Sequence, residues 1–291
     1  MSTHVAVEIA TQPDCWHRAS TLAKEVAPVL PRPGERVAVV GCGTSWFMAQ
    51  SYAWLREARG QGFTDAFAAS EFPGARDYDR VVAITRSGTT SEVLDLLETV
   101  AVPTLALTAD GGTPVVDASD EVVVLDFADE VSVVQTRFAT SALALLRTSL
   151  GEDLSSAIAD ATVAVGAELR PEWTAATQIT FLGRGWTVGL AHEAALKMRE
   201  AAGAWTESYP AMDYRHGPIS ITAPGRLAWV FGTAPEGLAE DVAATGGTFV
   251  TSALDPMAAL VVAQRLAVHI AEAAGLNPDQ PRHLTRSVIL S

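Results

Sequence analysis

Lysine is almost missing from this chain. Of its 20 basic residues only Lys24 and Lys197 are lysines, and the remainder are arginines. Basic residues are also scarce against 34 acidic ones, which leaves a formal net charge of −14. Duplex nucleic acids are bound through basic patches that displace counterions, so this balance argues against nucleic acid as the main partner. An anionic substrate would need local devices, such as glycine-rich turns at helix N-termini. Cysteine is sparse too. Cys15 and Cys42 give neither a disulfide framework nor a metal-ligand spacing, and neither metal nor cofactor is expected. No apolar run approaches the ~18 residues that span a bilayer, so no membrane partner is expected. The stretch MSTHVAVEIATQPDCWHRAS has no basic block followed by an apolar one. It does not read as a signal peptide, and a cytoplasmic protein is the expectation.

What the chain does have is apolar content: 48% of its 291 residues are hydrophobic, enough for one large core or two ordinary ones. The runs RVAVVGCG, RVVAIT, PTLALT and EVVVLDF read as short strands buried on both faces. Helical periodicity separates the first three, in TSWFMAQSYAWLREA and TTSEVLDLLETV, and continues over about 133–150 and 154–169. The pattern then restarts. ITFLGRG, RLAWVFG and TFVTS read as strands, TVGLAHEAALKMREA and GLAEDVAATG as helices, and a long helix begins near Met257. Strands alternating with helices imply α/β lobes built on parallel sheets with helices on both faces. VVGCGTS and FLGRGWT occupy corresponding places, which predicts an internal repeat. The lobes are expected at 1–170, with a helical lead-in, and at 171–291. Ligands of such sheets bind at the carboxyl ends of the strands.

Two turns stand at such ends. Gly41-Cys42-Gly43-Thr44-Ser45 lacks the third glycine of a dinucleotide fingerprint, because Trp46 stands three residues after Gly43. AITRSGTTSEV places Thr85, Ser87, Thr89, Thr90 and Ser91 around Gly88. Five hydroxyls exceed what one helix cap uses. With the backbone amides and the helix dipole they suit a phosphate monoester, and Arg86 adds a possible charge-assisted contact.

Further along, Glu193, Lys197 and Glu200 are spaced to share one helix face. Their neighbours Ala194, Ala195, Leu196, Ala201 and Ala202 are small or apolar, which predicts a mostly buried helix. A buried lysine is costly unless paired, and perturbed groups of that kind cluster at functional sites. Lysine, unlike arginine, loses its proton at workable pH, a reason to keep one here. His216 precedes Gly-Pro in a loop; no pattern supports a role for His4, His17, His192, His269 or His283.

Taken in order, EIATQP, GCGTS, SEF, SGTTSE, HEAALKMRE, ESYPAMDYRHGP and NPDQPRHLTRSV resemble the tandem sugar isomerase (SIS) domain family over nearly the whole chain. The resemblance is to the isomerase half of glucosamine-6-phosphate synthases and to amino-sugar-phosphate deaminase/isomerases. It implies two flavodoxin-like lobes and a homodimer with shared active sites. Cys42, Gly43, Thr44 and Ser45 would line the sugar-phosphate site, and Thr85, Ser87 and Thr90 would hold the phosphate. Glu200 would move the proton between C1 and C2, accompanied by Lys197. His216 would open the sugar ring from the neighbouring subunit.

Three departures stand out. Arg86 replaces a glutamine of the synthases, Gln135 a serine, and Arg286 the C-terminal lysine near the open-chain carbonyl. Arginine forms no Schiff base, so imine chemistry would rely on ammonia, the substrate's amine or Lys197. No glutaminase segment is recognised, so glutamine is not expected as nitrogen source within this chain. The expected function is a phosphosugar aldose–ketose isomerase or amino-sugar-phosphate deaminase for a hexose 6-phosphate. A deglycase of sugar-phosphate–amine adducts and a non-catalytic sugar-phosphate sensor are the alternatives.

Overall fold

The apolar runs become parallel strands because each carries too little polar surface to face water on either side. β1 (Val37–Gly41), β3 (Arg80–Ile84) and β4 (Thr104–Thr108) are buried almost throughout. With β2 (Thr64–Ala68) and β5 (Glu121–Val124) they form a five-stranded parallel sheet in the order β2-β1-β3-β4-β5. The second sheet contains β6 (Gln178–Gly183), β7 (Thr206–Pro210), β8 (Arg226–Phe231) and β9 (Thr248–Val250), in the order β7-β6-β8-β9. Both orders reverse direction beside their first strand, at β1 and at β6, the topological switch point where α/β sheets open a crevice. The predicted internal repeat is therefore visible in the topology. The computed structural model describes residues 3–290, and among these no helix is long and apolar enough to cross a membrane.

β2 and β7 are the strands that sequence periodicity misses. Both lie at a sheet edge and are only partly buried, so TDAFA and TESYP show no continuous apolar run. The expected opening helix is two helices, His4–Ala10 and Gln12–Glu25. The helix expected from Val133 starts at Arg137, because residues 131–136 form a loop tied to acidic side chains.

The repeat extends to the glycines. A Cβ on Gly41 would lie 2.8 Å from the Ser45 backbone carbon, and one on Gly183 would lie 2.2 Å from the Thr187 carbonyl oxygen. Each strand end is pressed against the first turn of the next helix, and only glycine fits.

The chain forms two compact units. One comprises Asp14–Val131, Gln135–Leu154 and Thr285–Ser291 and holds the first sheet; the other comprises Met1–Pro13, Ser132–Val134 and Ser155–Leu284 and holds the second. The first residues belong with the second sheet, and the last with the first.

Candidate active site

In the unit of the first sheet, the helix Thr44–Ala58 begins at the end of β1 and carries Thr44 and Ser45, both buried, in its first turn. Gly43 is its N-cap, with φ of 53°, a conformation that leaves helix-start amides facing the turn without a capping side chain. Cys42 is half-buried. Burial, then the nearby Glu92 carboxylate, pushes its thiol up to about 11, against the backbone of Ala69, which lowers it. The group lines this turn as a neutral thiol and not as a nucleophile.

The serine turn follows β3. Thr85, Arg86 and Ser87 are buried, and Gly88 adopts φ of 62° where a Cβ would collide with Thr113. The turn is pinned beneath by the Thr85 amide donating to the Leu107 carbonyl at 2.9 Å and the Val115 amide donating to the Gly88 carbonyl at 3.1 Å. Thr90 is the N-cap of the helix Ser91–Thr99, yet its side chain makes no capping bond and lies 3.5 Å from the Ser87 hydroxyl.

The hydroxyls divide into two sets. Thr89 donates to the Ser287 hydroxyl at 3.0 Å, and Ser91 accepts the Leu290 amide at 2.9 Å while its own amide donates to the Val288 carbonyl at 3.1 Å. These two residues hold the C-terminal segment in place. On the inner side of the turn, Ser87 accepts the Thr89 amide at 3.3 Å and lies against the Thr90 hydroxyl.

Both arginines are engaged with groups of the protein. Arg86 is buried and reaches within 3.5 Å of the Glu130 carboxylate, and it donates to the Arg286 carbonyl at 3.1 Å. Arg286 donates to the Asp129 carboxylate and to the Glu130 carbonyl. Glu130 is the hub that sequence reading missed. It is buried and accepts from the Thr136 amide at 2.5 Å, the Thr136 hydroxyl at 2.7 Å and the Arg137 amide at 2.8 Å. A buried carboxylate with this many donors organises a loop. The one signal for it was a second acid beside Asp129, shortly before the helix Arg137–Ser149. Gln135, on that loop, turns its side-chain nitrogen inward where no hydrogen-bond partner meets it. Burying such a donor costs about 1–3 kcal/mol, which a ligand acceptor would recover.

In the unit of the second sheet, the helix Thr187–Ala202 bears Glu193, Lys197 and Glu200. Glu193 and Lys197 are fully buried, as the apolar neighbours predict. The Lys197 ammonium lies 3.5 Å from Glu193 and is hydrogen-bonded to Glu200, whose side chain is 19% exposed. The helix ends one turn later at Gly203, in the left-handed conformation with φ of 59°. Glu200 thus stands on a closed last turn, on the wall of a cavity of about 270 Å³ that also takes in Arg199, Arg282 and His283. On the same helix His192 bonds the Ser208 hydroxyl at 2.9 Å, and burial, then the Arg199 charge, lowers its proton affinity. A buried lysine touching a partly exposed carboxylate is an arrangement for moving protons.

His216 closes the short helical turn Asp213–His216 and is exposed, followed by Gly217 with φ of 138°. Its neighbours hold the loop rigid. Tyr214 is buried with its hydroxyl against that of Thr222, and Arg215 bonds the Asp241 carboxylate at 2.5 Å. No cluster of three or more His, Cys, Asp or Glu side chains that could hold a metal occurs among the described residues.

Residues 32–149 match the family described as SIS domain. The chain is 26% identical to the glutamine–fructose-6-phosphate aminotransferase (isomerizing) of Bacteroides thetaiotaomicron, over 97% of this chain and 57% of that protein. It therefore spans little more than half the length of that relative. Among solved structures, glucosamine-6-phosphate deaminase from Thermotoga maritima matches with a TM-score of 0.79 and 23% identity, over 98% of this chain and 100% of that one. The C-terminal domain of glucosamine-fructose-6-phosphate aminotransferase from Francisella tularensis matches with a TM-score of 0.82 and 21% identity, over 97% and 98% of the two chains. These likenesses establish the fold, two parallel sheets flanked by helices.

Proposed function

From the premise of a SIS domain over residues 32–149, in a chain homologous to the isomerase part of glutamine–fructose-6-phosphate aminotransferases, we propose that this protein is an aldose–ketose isomerase or deaminase of hexose 6-phosphates. The observation that carries the reading is Glu200, partly exposed at a cavity wall with the buried Lys197 ammonium held against it.

In this reading Thr85, Ser87, Thr90 and the amides at the helix start grip the phosphate, and Cys42, Gly43, Thr44 and Ser45 line the sugar. Gln135 supplies the donor that now lacks a partner. His216 passes the proton that opens the ring, since an imidazole titrates nearest neutrality. Glu200 then removes a proton from the carbon beside the carbonyl and returns it to the next one. The Lys197 ammonium stabilises negative charge developing on the enediolate or enolamine oxygen. Arg86 and Arg286 serve as positioning residues, holding the serine turn, the 129–137 loop and the C-terminal segment together through Asp129 and Glu130.

The reading includes a cytoplasmic homodimer in which each chain lends His216 to its neighbour. It also leaves the nitrogen chemistry to ammonia or to the substrate's own amine. The test is incubation with fructose 6-phosphate plus ammonium, and separately with glucosamine 6-phosphate, in deuterium oxide. Product, or deuterium at C1 or C2, is expected; neither appearing removes this substrate pair. Melting shifts with sugar phosphate in the absence of any turnover would favour the sensor instead.

A further inference from the structure

The cavity beside Glu200 is walled by Arg199 on the same helix and by Asn277, Gln280, Arg282 and His283 of the segment that follows the last helix. Guanidinium and amide side chains do not exchange protons near neutrality, whereas an imidazole does. His283 is the imidazole on that wall. The charged groups facing it are Glu200 and Arg199 from the helix and Arg282 from its own segment, with Lys197 bonded behind Glu200.

His283 also has an unusual backbone. Its φ of 65° makes it the one non-glycine residue with positive φ among the described residues. Such positions persist where the surroundings force them, and they gather at functional sites. Pro281, two residues earlier, is buried, and His283 itself is exposed. Two cations that could compete for this role, Lys197 and Arg286, are already committed. Lys197 is held by Glu193 and Glu200, and Arg286, in its own unit, is held by Asp129 and the Glu130 carbonyl.

Resting on the isomerase reading, we propose that His283 is the acid–base partner of Glu200. As Glu200 takes the proton from the carbon next to the carbonyl, the imidazolium gives its proton to the carbonyl oxygen and an enediol forms. The neutral imidazole then takes the proton from the other hydroxyl while Glu200 delivers its proton to the adjacent carbon. The C=O bond moves by one carbon, both groups return to their starting states, and no oxidant or reductant is needed.

The test compares wild type, Glu200→Gln, His283→Asn and His283→Gly on fructose 6-phosphate and glucosamine 6-phosphate in deuterium oxide, following kcat, KM and their pH dependence. Asparagine and glycine both accept the left-handed backbone, so both variants should fold, and His283→Gly should melt at or above the wild-type temperature. Both His283 variants are expected to lose kcat by roughly 100-fold or more, with KM changed less than about threefold. They are also expected to lose one limb of the kcat pH profile. If Glu200→Gln abolishes exchange but the His283 variants keep the wild-type kcat and pH profile, His283 is a turn residue and this inference falls alone. A loss confined to KM overturns it equally. If the wild type puts no deuterium into either sugar, the isomerase reading falls and takes the inference with it.

Discussion

The ammonium of Lys197 lies 3.5 Å from the Glu193 carboxylate inside the helix that carries both, and neither side chain is open to water. Removing one partner of a buried ion pair costs about 3–5 kcal/mol. Lys197→Met should therefore lower unfolding stability by that amount in urea denaturation. Adding Glu193→Gln should recover a large part of it. A single-variant loss under about 1 kcal/mol would mean that water reaches Glu193.

The division of hydroxyls at the serine turn predicts a division of phenotypes. Hydrogen bonds to charged groups contribute about 1.5–3 kcal/mol, so Thr90→Val should weaken fructose 6-phosphate binding roughly 10- to 100-fold by calorimetry. Thr89→Val removes the bond to Ser287 and should leave that affinity within about threefold. Equal losses would merge the two sets.

Cys42 gives a pH-dependent readout. With its thiol pushed up to about 11, roughly one Cys42 in a thousand is thiolate at pH 8, against about one in four for an ordinary cysteine. In a Cys15→Ala background, alkylation by iodoacetamide should run about 250-fold slower than for a free thiol, and climb tenfold per pH unit up to pH 11. Glu92→Gln should quicken it. Labelling at the free-thiol rate at pH 8 would contradict the burial of this group.

Much of this was legible in the sequence. Buried central strands write themselves as unbroken apolar runs, so β1, β3, β4, β6 and β8 were readable, as was the helix Thr44–Ala58. β2 and β7 were not, because an edge strand half open to water carries a mixed pattern. Lys197 and Glu200 were found through residue type and helical spacing, which survive translation into structure. Glu130 and His283 were not. A carboxylate that organises a loop, and a histidine whose backbone is forced left-handed, are distinguished by three-dimensional surroundings that no spacing rule records. The same holds for the approach of Arg86 to Glu130.

If His216 serves the neighbouring chain, inactive variants should complement each other. A 1:1 mixture of Glu200→Gln and His216→Asn, exchanged by mild denaturation and refolding, would place half of the chains in mixed dimers with one intact site each. About a quarter of wild-type activity should return. No recovery, with mixed dimers verified by mass, would assign His216 to its own chain or to no site.

The most direct measurement is the rate of deuterium incorporation at C1 and C2 of fructose 6-phosphate, for wild type and for Glu200→Gln at matched folding stability. The amide has the shape of the acid but accepts no proton, so exchange should fall at least about 1,000-fold while sugar-phosphate binding persists. Exchange by Glu200→Gln at the wild-type rate would contradict the assignment of proton transfer to this residue.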